Sequence, residues 1–219
     1  VLQVSIPCIR YISPPGINLF SRDSIDYSSP STSTRIIEEG ERTLNRIDEI
    51  AEKVNNAKLE QARPKLDYAA SLDPQEFNPE KAKEADEKIH ETRKLLAQVR
   101  KEHLSEIRQI YLDRVVSFFD EHIREYARPA EATAFATLVK TAQRTINEKN
   151  RHFEQYLDEL KGQNFEILWR QDWFVVERFK WMSNSPHLFV DKHRFEELSK
   201  IGGELLRSDD IDKLRHVVA

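Results

Sequence analysis

Apolar and small residues recur along most of this chain at alternating intervals of three and four. The clearest run lies between Thr34 and Val54, where Ile37, Gly40, Leu44, Ile47, Ala51 and Val54 are spaced 3-4-3-4-3. That rhythm lays one narrow stripe along a helix that packs against other helices. Ser31, Ser33 or Thr34 is placed to cap its start, and Glu38 and Glu39 sit near the first turn, where the helix dipole favours acids. Asn55-Asn56 closes it. A second stripe, Leu59, Ala62, Leu66 and Ala69, predicts a helix over about 57–72, with Pro64 near its first turns or at a kink. The two stripes have the shape of a helical hairpin.

Asn78-Pro79 restarts the pattern, with Asn as cap and Pro at the first helical position. From there to Pro129 the stripe runs through Ala82, Ala85, Ile89, Thr92, Leu96 and Val99, then Leu104, Ile107, Tyr111, Val115, Phe118 and His122, slipping by one residue around His103-Leu104. A single helix over this span would be about 70 Å long, so it is expected to connect two packed regions. A fourth helix is expected over about 130–161, with Phe135, Leu138, Ala142, Ile146, Phe153, Leu157 and Leu160 on its stripe and Gly162 as its terminus. Asn164 then caps a fifth helix carrying Phe165, Leu168, Trp169, Trp173, Val176, Phe179 and Trp181. A sixth starts near Asp191 with Phe195, Leu198, Ile201 and Leu205, and Ser208 caps a last turn or two with Ile211, Leu214 and Val217.

Residues 1–12 differ. Leu2, Val4 and Ile6 alternate with Val1, Gln3 and Ser5, a strand signal that Pro7 ends or confines to a sheet edge. Ser13-Pro14-Pro15-Gly16 is a break, and residues 17–34 read as a polar, serine-rich linker. A strand needs sheet partners, most simply upstream of Val1, so the chain is expected to be a piece of a longer protein. The expected class is mostly all-α, with a short N-terminal β segment. Three parts are expected: a strand and linker over 1–33, a helical hairpin or bundle with the first half of the long helix over 34–103, and an aromatic-rich helical bundle over 104–219.

Composition narrows the function. Charged residues are 33% of the 219 and glycines only 5, which suits solvated helices better than an enzyme with tight active-site loops. A net charge of -4, with both signs interleaved, gives no nucleic-acid footprint. The single cysteine, Cys8, excludes an internal disulfide framework and a multi-cysteine zinc site, in keeping with a cytoplasmic location. No apolar run reaches the length of a membrane span, and the first residues lack the form of a signal peptide.

Candidate chemistry is sparse. Gly202-Gly203, the paired glycines, lack the pattern of a phosphate loop and read as a helix interruption. His187, Asp191 and His193 have a spacing a metal tolerates, with no fourth ligand nearby, and read as a surface loop and helix start. His103 and His122 read as boundary histidines, and Asp120-Glu121 and Asp158-Glu159 as adjacent rather than facing carboxylates. Cys8 has no cationic neighbour to activate its thiol and reads as a small strand residue. No catalytic residue, cofactor or metal is therefore expected. The anomaly is Trp169-Arg-Gln-Asp-Trp-Phe-Val-Val-Glu-Arg-Phe-Lys-Trp181, with three Trp and two Phe in thirteen positions. Trp169, Trp173, Val176 and Lys180 would share one face, and Phe174, Arg178 and Trp181 another. The first reading is a helix buried on two sides. The second makes Trp169, Trp173, Phe174 and Trp181 a surface for a partner or an unfolded chain.

The order of strand, polar linker, capped helix and helical hairpin resembles the C-terminal part of the DnaK-type heat-shock chaperones. The residues that carry the likeness are Ser33-Thr34-Arg35-Ile36-Ile37-Glu38-Glu39-Gly40-Glu41-Arg42 and Leu44-Asn45-Arg46-Ile47, which look like a lid entry. Leu59-Glu60-Gln61-Ala62-Arg63 and Ala82-Lys83-Glu84-Ala85 look like the bundle behind it. The likeness covers about residues 1–100. It implies that residues 1–12 end a client-binding β-sandwich and that the helices form a lid gating unfolded polypeptide. Any ATPase activity would reside upstream, with clients or co-chaperones as partners. The alternative is a helical scaffold or self-associating coiled coil that docks partners through its Trp-rich helix.

Overall fold

The computed structural model describes residues 25–73, 78–189 and 191–219. Among these are nine α-helices and no strand, so the protein is mostly all-α. The expected strand over 1–12, Cys8 and most of the linker lie outside the described residues. The helices are α1 (Pro30–Ala51), α2 (Ala57–Ala70), α3 (Pro79–Glu102), α4 (Leu104–Phe118), α5 (Pro129–Thr145), α6 (His152–Trp169), α7 (Asp172–Ser183), α8 (Lys192–Arg207) and α9 (Ile211–Val218).

The described residues divide into two compact units, the first lying within 25–114 and 140–155 and the second within 115–139 and 156–219. The division falls at Arg114 rather than His103, and residues 140–155 return to the first unit.

The first unit is built on a three-helix bundle, α1–α3. Every stripe residue expected of α2 and α3 is buried: Leu59, Ala62, Leu66 and Ala69 on one, Ala82, Ala85, Ile89, Thr92, Leu96 and Val99 on the other. Polar pairs fix the directions. Lys58 meets Glu102, Lys65 meets Glu91, and the Tyr68 hydroxyl donates to Glu84 at 2.7 Å, so α2 and α3 are antiparallel. Arg63 pairs with Asp48 at 2.9 Å, reversing α1 against α2. Arg93 pairs with Glu39, and the Tyr27 hydroxyl donates to Asp86 at 2.8 Å, so α1 and α3 run parallel. A Cβ at Gly40 would stand 3.0 Å from Ala69 Cβ, so the missing side chain is what lets α1 and α2 approach here.

Several expectations need correcting. α1 begins at Pro30, with Ser29 at the N-cap position and no side-chain cap, because Pro30 fits the first helical turn, where its missing N–H is not needed. Ile36 and Ile50 are fully buried and Val54, past the end of α1, is buried too, while Ala51 is exposed, so the buried face is wider than the a/d pattern. Pro64 lies inside α2. The long helix is two helices. His103 leaves helical geometry at φ -125° and ψ 47°, where the stripe slips. After Phe118 the chain widens into a π-helical turn over Phe119–Ile123, then tightens into a 3₁₀ turn over Arg124–Tyr126.

The expected 130–161 helix is also broken. α5 ends at Thr145 and α6 starts at His152, whose N–H is accepted by the Asn150 side chain. Arg108 makes this loop. Its guanidinium, 4% exposed, donates to the carbonyls of Ile146 (3.0 Å), Glu148 (2.6 Å) and Asn150 (3.0 Å) and, at 2.8 Å each, to both oxygens of Glu154. Five N–H donors find five acceptors, which ties residues 146–154 to α4 and explains why they belong to the first unit. Gly162 therefore lies inside α6 and Asn164 is buried mid-helix rather than capping one.

In the second unit, Phe119 stacks on Phe135 with centroids 3.9 Å apart. A further core joins Val175 and Phe179 of α7 to Leu214 and Val218 of α9, with Leu205 and Leu206 of α8 against it. Gly202 and Gly203 do not interrupt α8. A side chain at Gly202 would overlap the Phe179 ring, whereas nothing stands within 4 Å of one at Gly203. The turn after α8 uses Asp209 at φ 58°, and Asp210, not Ser208, caps α9 by accepting from Lys213 N.

Candidate partner-binding surface

The aromatic stretch is not one helix. α6 ends at Trp169 and α7 begins at Asp172, so Trp169 and Trp173 do not share a helix face as their spacing predicts. The corner is held from α9, where Arg215 donates to the Trp169 carbonyl and, at 2.7 Å, to Asp172. Its guanidinium lies 5.8 Å from the Trp169 ring centroid, and that ring stacks on Phe165 at 5.4 Å. Arg170 pairs with Glu131 at the same corner. That hydrogen bond, backed by the Arg128 N–H, holds the Glu131 carboxyl at about 2.

The four candidates fall into three environments. Phe174 is fully buried, edge-on to Phe165 at 6.0 Å and to Trp173 at 5.8 Å, and belongs to the core. It is thereby removed from any surface for a partner. Trp169 and Trp173 are half-buried and engaged by neighbours, Trp173 by Tyr126 at 5.8 Å. The hydrogen bond between Tyr126 and the Glu125 carboxylate, with burial behind it, raises the phenol pKa. Trp181 is half-buried and makes no ring or cation contact among the described residues, which leaves it the most available of the four.

Beside Trp173 lies an open depression of about 610 Å³, with Val176 and Ile211 in its lining and Asp209, Asp210 and Asp212 on its edge. Asp210 is taken up by Lys213 at 2.6 Å. The stretch Ser208-Asp209-Asp210-Ile211-Asp212 was legible only as a cap, because the turn that brings it against Trp173 depends on the positive φ of Asp209.

The other candidate groups are dispersed. Asp191 accepts from Arg194 N at 2.9 Å and caps α8. No group of three or more His, Cys, Asp and Glu is placed to hold a metal ion among the described residues. Asp120 pairs with Arg124 and Asp158 with Lys161, while Glu121 lies 3.7 Å from His122, so neither carboxylate pair converges on one reacting point. His103 stands 3.3 Å from the Asn56 amide and 3.7 Å from Glu106, at the break between α3 and α4. Among the described residues no helix is long and apolar enough to cross a membrane. Comparison with protein-family models, with curated proteins and with solved structures finds no match.

Proposed function

We propose that this chain is the lid and C-terminal extension of a DnaK-type chaperone, gating the escape of unfolded polypeptide without performing chemistry itself. One observation carries the reading: α1–α3 form a bundle whose core is closed by Ile107 and Ile110 at the start of α4, entered directly from the polar segment before Pro30. A bundle that keeps its core when it moves can open and close as a body, and such a gate adds an opening step to client release. The exposed faces carry cross-helix ion pairs rather than a second apolar stripe, which suits a body that spends part of its time surrounded by water. The dispersed acids and histidines support a binding role over a catalytic one.

Two measurements test the reading. The coding sequence upstream of Val1 must encode a nucleotide-binding domain and a β-sandwich, and any other neighbour removes the proposal. In that longer protein, deleting α1–α3 must speed release of a labelled unfolded polypeptide about tenfold or more, the effect of removing a gating step of about 1.4 kcal/mol. An unchanged release rate refutes gating.

The half-buried Trp181 favours a second reading, a helical module that docks a partner through α7. A partner captured equally by the wild type and by Trp181→Ala would rule that surface out.

A further inference from the structure

Arg178 lies on α7 and is 7% exposed. Its Nε and Nη1 are buried and meet no hydrogen-bond acceptor among the described residues. A guanidinium carries five N–H donors in one plane and keeps its charge in proteins, so burial does not neutralise it. Burial alone, with no compensating partner, pushes its pKa down. The Phe165 ring stands 5.4 Å from the guanidinium carbon. A π face attracts the cation but takes none of its in-plane N–H bonds.

Three acids near it in sequence or across the α6–α7 corner are committed elsewhere. Glu177 pairs with Lys180 at 2.7 Å, Asp172 with Arg215 at 2.7 Å, and Glu131 with Arg170. Asn164, 3% exposed on the helix that carries Phe165, also has its side-chain oxygen unpartnered, so donors and acceptor in this unit do not satisfy each other. Arg108 sets the contrast: equally buried, it directs all five N–H donors to acceptors. An uncompensated buried charge is strongly destabilising, and a fold that keeps one gains from a counter-ion supplied from outside the chain.

We propose that Arg178 is the receptor of an oxyanion-binding site in the second unit, taking a carboxylate or phosphate group on its unused N–H donors. Both groups match the planar fork of a guanidinium, which binds them through two parallel hydrogen bonds, here from Nη2 together with either Nε or Nη1. The site does not depend on the gating reading, and it acts through the α6–α7 corner rather than through α1–α3. Trp173 and Trp181 flank Arg178 on the same helix and report on it by fluorescence.

The test uses the full chain. Thermal unfolding and tryptophan emission are followed while sodium phosphate or sodium acetate replaces sodium chloride at constant ionic strength, with hexaglutamate as a third arm. The expected result is a saturable rise in Tm of several degrees and a saturable change in emission, both lost in Arg178→Met and weakened in Arg178→Lys. Arg178→Met is expected to fold, with an anion-free Tm at or above that of the wild type, because an apolar replacement relieves the buried charge. A stronger response to hexaglutamate than to acetate assigns the site to a polypeptide-borne carboxylate, and the reverse assigns it to a free anion. Phosphate stabilises proteins generally, so the loss in Arg178→Met is decisive. A wild-type response no larger than that to chloride, or one that survives in Arg178→Met, overturns the proposal.

Discussion

Arg108→Met tests whether one side chain decides where the helix after Pro129 ends. The substitution keeps much of the aliphatic volume and removes all five donors. Of the acceptors left behind, the Ile146 carbonyl is the most buried, and leaving such a group unpaired costs about 1–3 kcal/mol. The carbonyls of Glu148 and Asn150 belong to exposed residues and Glu154 is half-exposed, so water replaces most of what they lose, at about 1 kcal/mol together. Loss of the guanidinium from the Phe153 ring, 5.0 Å away, removes about another 0.5 kcal/mol. The expected destabilisation is about 3 kcal/mol, read as a fall in the urea midpoint of about 1–1.5 M at unchanged slope. Hydrogen exchange at residues 146–151 should rise with it. Glu154→Gln keeps every carbonyl contact and should cost under about 1 kcal/mol. A midpoint shift below about 0.3 M for Arg108→Met, with exchange unchanged, refutes the idea that Arg108 makes this loop.

Adjacent glycines should respond with opposite signs: Gly202→Ala drives a methyl into Phe179 and should cost about 1–3 kcal/mol, while Gly203→Ala should stabilise by about 0.5–1 kcal/mol, both read from thermal unfolding. The Glu131 carboxyl is held at about 2 against its ordinary 4.5, so its pairing with Arg170 contributes fully above pH 4.5 and is lost as pH falls toward 2. Discounted for its partial exposure, this is roughly 1 kcal/mol, and the stability gap between the wild type and Glu131→Gln should close over that acid range. Phe174→Ala should cost about 3–5 kcal/mol in chemical denaturation and Trp181→Ala about 1 kcal/mol, because only the first empties a filled core position.

What was legible in the sequence follows from how each signal works. The α2 and α3 stripes were readable because every position from Leu59 to Ala69 and from Ala82 to Val99 on the expected spacing is buried, so spacing and burial coincide. α1 buries Ile36 and Ile50 as well as Ile37 and Ile47, which widens its face beyond an a/d stripe. The breaks at His103 and at Ile146-Asn147-Glu148-Lys149-Asn150-Arg151 contain no glycine or proline, so local propensity does not announce them. The first shows only as a slipped stripe. The second depends on Arg108, some forty positions away, which no local pattern contains. Gly162, Gly202 and Gly203 misled in the other direction: each lies inside a helix, and at Gly202 the demand for a missing side chain comes from Phe179 on another element. The aromatic run from Trp169 to Trp181 was divided by the corner at Arg170-Gln171, whose geometry rests on Glu131 and Arg215, again distant in sequence.

The two cores draw on different parts of the chain. That of α1–α3 runs from Ile36 to Ile110 at the start of α4, whereas the α7–α9 core runs from Val175 to Val218. Local closure favours fast folding, and domains assemble in order as they leave the ribosome. The bundle can therefore be complete while α9 is still being made, and the nascent chain passes through a stage in which a finished bundle is followed by exposed Val175, Phe179 and half-covered tryptophans. Leu214 and Val218 of α9 are what end that exposure.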